Sequence, residues 1–498
     1  MASRVPAESA LAALRSRLAT ISPLLGAGAA AEDDTAARLL SRLSASTRAS
    51  GDFAELWLLM TAVCGLMPTR DAFVRMRRLV EASEPGTEMI AVLEGSAGLA
   101  SLNDFIDRSF AVVDHGLVID VDFTARHGHN TGIQRVAREA IRRWAPEHEF
   151  TLAAWTEDGD ITRSLTPGER ARVIDWTSDK RLELSDPYQE NAAELIVPWR
   201  STILLPEVAL LRTWERMSCA AEFSGNRVVV IGYDVIPITS AQDIDPRETD
   251  RFVRYLSVVK HAAKVIGISE TSSKEFAGFA AALAGQGMRG PTVATVQLPV
   301  DLPTSESAAP FAPRASEIPL IVCVGTQEPR KNQVAVLAAA EVLWSRGQQF
   351  DLVFIGGAAV SMSHSFDTEI ERLKKLGRPV EVWRNISDAI LYRAYVDARF
   401  SIFVSMHEGF GLPVGESLSV GTPVITTNYG SMAEIAAGGG CIMVDPRNDD
   451  QIAAAMQLLL EDDTELDRLR AEAAARSPRT WDDYARELWT EIFAGVTG

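Results

Sequence analysis

Two glutamates, Glu408 and Glu416, bracket a glycine-bearing loop in HEGFGLPVGESLSVGTPVITTN, residues 407–428. Gly409 and Gly411 let backbone amides approach a ligand closely; Pro413 suits the first turn of a helix and Gly421 its far end. A helix N-terminus under such a loop carries partial positive charge, which suits a diphosphate or an array of sugar hydroxyls. Two carboxylates cannot both serve a phosphate, because like charges repel. They are better suited to accept hydrogen bonds from hydroxyl groups, as a ribose and a hexose would offer. The plainer alternative is that Glu416 favours a helix dipole and Glu408 is solvated. A second stretch, VGTQEPRKNQ (324–333), weighs against it. Arg330 and Lys331 follow Pro329 at the start of a predicted helix, where each cation opposes the helix dipole at a cost of about 0.3–1 kcal/mol. An anion bound there would compensate.

Other candidate groups carry less. His127 and His129 in ARHGHNTG lie close to Gly132 and could act on an acceptor; two histidines also suit a metal, but no third ligand is evident, and polar residues in a mobile loop is the plainer reading. Ser269, Ser272 and Ser273 open a predicted helix, where capping accounts for them. Cys64, Cys219, Cys323 and Cys441 lie far apart with no CxxC pair and read as buried thiols in a reducing compartment.

The elements that must position these residues follow from periodicity. Residues 1–105 hold four segments with apolar residues at i, i+3, i+4 spacing, a helical extension whose plainest use is a packing or partner surface. From about residue 117 strands and helices alternate. LVIDVDF (117–123), RVVVIGYDV (227–235) and KVIGIS (264–269) are compact apolar runs, and GIQRVAREAIRRW (132–144) is an amphipathic helix. A Pro/Ser/Ala-rich segment, 301–319, reads as a linker. Alternation then restarts with PLIVCVG (319–325), FDLVFIGG (350–357), PVEVW (379–383), ARFSIFVS (398–405) and TPVITT (422–427). The chain ends in an amphipathic helix, 479–495, with Trp481 and Trp489 as packing residues. Such alternation implies α/β architecture in two Rossmann-like, doubly wound halves, with ligands outside the carboxyl ends of the strands.

Composition narrows the function classes. The 498 residues are 47% hydrophobic and 23% charged, with a net charge of −18. That balance argues against a nucleic-acid surface. The start lacks a basic region followed by an apolar run, and the greasiest stretches, 56–67 and 195–211, are too short or interrupted to span a bilayer. A soluble, cytoplasmic chain is expected.

EGFGLPVGESLSVGTPVITTN resembles the E-x7-E signature of retaining, GT-B-fold glycosyltransferases of glycosyltransferase family 4, and GTQEPRKN resembles that family's phosphate-binding segment. The resemblance covers roughly 117–495. NISDAILYRAYVDARFSIFVS (385–405) is similar to the family's helix and strand before the signature; TGIQRVAREAI (131–141) resembles the N-terminal loop of a polysaccharide-building branch. YDVIPITS, IGISETSS and LPVD resemble further segments. Beyond the helical extension over 1–105, which it does not reach, the resemblance implies an acceptor domain over 106–305, a nucleotide-sugar domain over 306–478 and a terminal helix, 479–498, that crosses back to the acceptor domain.

It also implies a metal- and cofactor-free hexosyltransferase. Its donor would be a UDP-, GDP- or dTDP-sugar, and its acceptor a glycan, a lipid-linked oligosaccharide or a protein. Glu416 would hold the ribose and Glu408 would face the transferred sugar. The amides of Gly409, Phe410, Gly411 and Leu412 would line sugar and diphosphate, with Arg330 and Lys331 neutralising the phosphates. Gly132 would let its loop close over the diphosphate, and the base would sit near Trp383–Ile386. Front-face attack is consistent with the lack of an obvious nucleophile; for double displacement the candidates are Asp234 and Glu408. Two departures, Tyr233 in place of the usual His and a missing glycine in LPVD, put acceptor and sugar identity in question. Peripheral contact with the inner membrane face and a partner or oligomer through 1–105 are further expectations, and a non-catalytic scaffold of the same fold is the alternative function. A sugar phosphorylase would need a pyridoxal-phosphate lysine, for which no feature calls.

Overall fold

The computed structural model describes residues 7–100, 106–128, 132–176, 193–209, 211–299, 317–357, 363–477 and 479–495. Most of the expected linker and His129 lie outside these residues. The chain divides into two compact units. Residues 1–231, 253–265 and 279–293 make the first, and residues 232–252, 266–278 and 294–498 the second.

The first unit begins with five helices, Ala7–Ile21, Ala36–Ser50, Phe53–Cys64, Arg70–Ala82 and Glu88–Ala100. Their ends are set by local chemistry: the Thr35 hydroxyl and the Asp52 carboxylate accept amides of the turns they open, and Gly51 and Gly65 close helices in the left-handed region. The helix Phe53–Cys64 buries ten of its twelve residues, and a helix that is apolar all round belongs in an interior. The helices are built into this unit. The buried Arg17 guanidinium donates to the carbonyls of Ala62 (2.7 Å), Ile106 (2.8 Å) and Arg108 (2.6 Å), and Trp199 Nε1 donates to Ala54 O at 2.9 Å.

After them run β1 (Phe110–Asp114), β2 (Leu117–Asp120), β3 (Thr151–Trp155), β4 (Thr162–Ser164), β5 (Leu195–Trp199), β6 (Thr202–Leu205), β7 (Arg227–Gly232), β8 (Lys264–Gly267) and β9 (Thr292–Thr295). Their order is β1-β5-β4-β3-β2-β6-β7-β8-β9. The pairs β1–β5, β2–β3, β2–β6 and β6–β7 are parallel, whereas the short β4 pairs antiparallel with both neighbours. The run 117–123, read from sequence as one strand, stops at Asp120. Asp122–Arg126 is a helix instead, because the Glu207 carboxylate accepts the Phe123 and Thr124 amides at its start, both at 3.0 Å.

The second unit holds β10 (Leu320–Val324), β11 (Asp351–Ile355), β12 (Val380–Trp383), β13 (Phe400–Phe403), β14 (Val424–Thr427) and β15 (Cys441–Val444). Every neighbouring pair is parallel, in the order β12-β11-β10-β13-β14-β15. Both faces are apolar: Ile321, Phe354, Phe400 and Ile402 look into one core, and Leu320, Val322, Val353 and Ile355 into the other. Strands buried on both sides read as continuous apolar runs, which is why five of these six are visible in the sequence. β15, CIMV, is half-exposed and is not. Among the described residues, no helix is long and apolar enough to cross a membrane.

Candidate active site

In the second sheet the chain steps outward from β10 through β11 to β12, then returns to the other side of β10 to form β13. The strand order reverses between β10 and β13, and an open α/β sheet offers its ligand crevice at such a point. The register Ile321↔Phe400 and Val322↔Ser401 brings the two carboxyl ends level. Residues 325–332 therefore lie beside residues 404–411, joined by Met406 N to Arg330 O at 2.8 Å.

Pro329–Lys331 form a single 3₁₀ turn, and Asn332, at φ 57°, separates it from the helix Gln333–Ser345. The two cations thus precede the long helix rather than occupy its first turn. Their compensating anion is Glu408. Its Oε1 accepts from Lys331 Nζ (2.6 Å) and Ser405 Oγ (2.6 Å) and lies 2.9 Å from Arg330 Nη1. Burial alone would raise the Glu408 carboxyl, but Lys331 and Arg330 outweigh it and hold the group at about 2. Arg330 also reaches Glu328 Oε1 and the His407 carbonyl, both at 2.5 Å, while its buried Nε has no partner. Lys331 uses one of three ammonium donors on Glu408, and its Nζ lies 5.2 Å from the Phe403 ring centre.

The loop itself is tightly placed. Gly411, at φ 103°, caps the helix Leu412–Ser419. Among the described residues, no acceptor meets the amides of Gly409, Phe410 and Gly411. A Cβ on Gly409 would lie 2.2 Å from Tyr233 O, so only glycine fits there. Asp234 follows that carbonyl; burial pushes its carboxyl up to about 6, against the pull of the Ile236 amide and Arg330. The structure so brings Arg330, Lys331 and Glu408 together, with Asp234 within electrostatic reach.

Other expected residues stand elsewhere. Glu416 lies one turn into the helix Leu412–Ser419 and accepts from the Tyr395 hydroxyl at 3.2 Å. Ile386 and Trp383 pack against the core that contains Tyr395. Gly132 opens the helix Gly132–Trp144 in the first unit and is exposed. His127 packs its ring on Phe123, with centroids 4.4 Å apart. Sequence reasoning missed Ser405, Glu328, His407 and Glu275; Ser405 and His407 at least flank Glu408, whereas Glu275 gave no local signal. Ser269 does cap its helix, accepting the Ser272 amide at 3.0 Å, but both hydroxyls also serve the loop. Ser269 Oγ lies 2.6 Å and Ser272 Oγ 2.9 Å from Gly409 O, and Ser272 Oγ is also 2.6 Å from Tyr233 O.

The first unit has a switch point of its own, between β2 and β6. A small pocket lies there, lined by Asp120, Asp122, Trp155 and Glu207 among others. Burial, with Asp122 adding to it, pushes the Asp120 carboxyl up to about 7; burial pushes Glu207 up to about 8. Among the described residues, no three His, Cys, Asp or Glu side chains are placed to hold a metal ion.

Comparison with known proteins bears on both units. Residues 307–476 match the family model described as Glycosyl transferases group 1. The serotype-specific mannosyltransferase WbdA of Escherichia coli is 27% identical over 346 residues, 64% of this chain and 40% of that protein. The O-antigen chain mannosyltransferase B of Escherichia coli is 29% identical over 161 residues, 32% of this chain and 42% of that protein. The chain thus spans about two fifths of the length of these curated relatives. Anabaena HepE, solved with UDP and glucose, superposes with a TM-score of 0.51 at 12% identity, covering 76% of this chain and 100% of that one. The fold is GT-B: two α/β units with parallel strands, here preceded by helices.

Proposed function

We propose that this chain is a retaining, metal-independent glycosyltransferase of family 4 that moves a hexose from a nucleoside-diphosphate sugar to a growing surface polysaccharide. The observation that carries this reading is the pairing of Arg330 and Lys331 beside the unengaged amides of Gly409–Gly411, at the point where the second sheet reverses its strand order. Arg330 Nε and the remaining Lys331 donors leave capacity for a diphosphate next to Glu408. The mannosyl chemistry named for the Escherichia coli relatives makes a nucleoside-diphosphate mannose the first donor to test.

In this reading Glu416, oriented by Tyr395, accepts the ribose hydroxyls, and the base lies over Ile386 and Trp383. Glu408 fixes the two cations and faces the transferred sugar. As the bond from the anomeric carbon to phosphate breaks, Arg330, Lys331 and the loop amides take up the charge that grows on the diphosphate, the electrostatic contribution that usually dominates such reactions. The acceptor hydroxyl attacks the same face, and its proton passes to the departing phosphate oxygen. Asp234 lies beside this region with a raised affinity for a proton, so it is suited to accept a hydrogen bond from a hydroxyl of the sugar or acceptor.

A screen of UDP-, GDP- and dTDP-linked sugars, reading release of the nucleoside diphosphate, tests the proposal. Lys331→Ala is expected to lower turnover about 10²–10³-fold, as for loss of one charge-stabilising donor, and Glu416→Ala to raise the donor KM with the fold intact. Full transfer by both variants would overturn the site assignment. No binding of any nucleoside diphosphate by calorimetry would favour a non-catalytic scaffold.

A further inference from the structure

His407 precedes Glu408, and its imidazole is held on both nitrogens. Nε2 meets Glu275 Oε1 at 2.5 Å, and Nδ1 lies 3.2 Å from both Thr239 Oγ1 and Ser240 Oγ. The Thr239 hydroxyl is within reach of Val235 O, at 3.2 Å, and by donating its proton there it offers Nδ1 only a lone pair. The other Glu275 oxygen accepts the Val235 amide at 3.0 Å. One glutamate so ties residues 235 and 407 together, 172 positions apart in the chain. Beyond the ring, the His407 carbonyl accepts from Arg330 Nη1, and the next peptide but one is held at Gly409 O by Ser269 and Ser272.

From this juxtaposition we propose that His407 and Glu275 are positioning residues for the phosphate loop, and that the imidazolium–carboxylate pair makes donor binding depend on pH. The inference rests on the donor site assigned under Proposed function. Three charged groups face the imidazole: Glu275 on the helix Glu270–Ala284, Asp234 in the loop after β7, and Arg330 on the 3₁₀ turn. Glu408, next in the chain, is occupied by Lys331 and Arg330. The bond to Glu275 favours the charged ring and outweighs burial, so the His407 pKa is raised above 6.5. Above that raised pKa the ring loses its proton and the attraction to Glu275. The carbonyl that receives Arg330 then loses its anchor, and the loop amides lose their shared orientation. Below it the pair is intact.

The loop amides already meet the diphosphate in the bound donor, so loosening them first removes binding present in the ground state, which raises KM. In wild type the donor KM is expected to rise as pH passes the His407 pKa. His407→Ala raises it about 10- to 100-fold at neutral pH, the span of a charge-assisted hydrogen bond, with kcat changed far less. His407→Gln keeps a neutral donor for Glu275 and cannot ionise. It therefore resembles deprotonated wild type at every pH: its donor KM is flat with pH and lies near the wild-type alkaline value, below that of His407→Ala. Hydrogen exchange of the Met406 amide, which bonds Arg330 O, read in the free protein, speeds up most in His407→Ala and in His407→Gln matches wild type above the His407 pKa. An alkaline rise kept by His407→Gln overturns the inference, as does a His407→Ala variant matching wild type in donor KM or in loop exchange. If wild type turns over no donor, the failure belongs to the proposed function, and exchange alone decides the positioning role.

Discussion

Two carboxyls, the buried Glu408 and the half-buried Asp120, show how neighbours set charge. Glu408 stays ionised because two cations touch it, whereas Asp120, enclosed beside Asp122 and bonded to Trp155 Nε1 at 2.8 Å, keeps its proton to about pH 7. In the unfolded chain Asp120 releases that proton near its ordinary 3.8. Between those values the folded form binds more protons, so stability falls as pH rises from about 4 to about 7. Glu207, pushed up in the same pocket, adds to the slope. Asp120→Asn removes one ionisable group and one acceptor: its Tm is expected to lie below wild type at pH 5 and to fall less between pH 5 and pH 8. Equal slopes in thermal melts of the two proteins would show that Asp120 is already ionised in the fold. Glu408 has the opposite sign. Its contribution is complete above about 4.3 and is lost as pH drops toward about 2.

At the scale of elements, the loop 404–411 shows what a sequence reveals and what it hides. Its chemistry was legible: glycines, flanking glutamates and a following helix are neighbours in the chain, and so are Arg330 and Lys331. The apolar runs of β10, β11 and β13 were legible because a sheet covered on both faces needs them. Several elements left no such mark. β4 is three residues long and β15 half-exposed, so neither needs a hydrophobic run. The contacts of Glu275 and Ser272 with the loop join residues more than 130 positions apart, and no local pattern encodes a pairing of that range. Gly409 is the clearest case: the motif explains why glycine suits an anion, but only the fold shows Tyr233 O where a Cβ would stand. Gly409→Ala must therefore displace backbone. The expected cost is about 1–3 kcal/mol in stability, as for overpacking, together with weaker donor binding, both measurable by denaturant melts and calorimetry. Wild-type values in both would show that the backbone at Tyr233 and Gly409 yields to the added methyl without cost.

At the scale of the whole molecule, the first hundred residues are structural partners of the first sheet. Arg17 is the sharpest test. From sequence it is one of two arginines on an amphipathic helix; in the fold it is fully buried and joins three carbonyls from two segments. Burial lowers its pKa to about 10, which leaves the guanidinium charged at neutral pH. Arg17→Met strands those carbonyls and should cost about 2–4 kcal/mol in urea unfolding; a loss under 1 kcal/mol would mean that water replaces the guanidinium. The helix Phe53–Cys64 carries a different consequence. Its cover includes Trp199, whose indole bonds Ala54 O from 145 positions downstream. At about 5–20 residues per second of synthesis, that partner emerges roughly 7–30 s after the helix. A nearly all-apolar helix is thus incompletely covered on the ribosome for that interval, so the yield of folded protein is expected to depend on elongation rate and on chaperones that shield nascent chains.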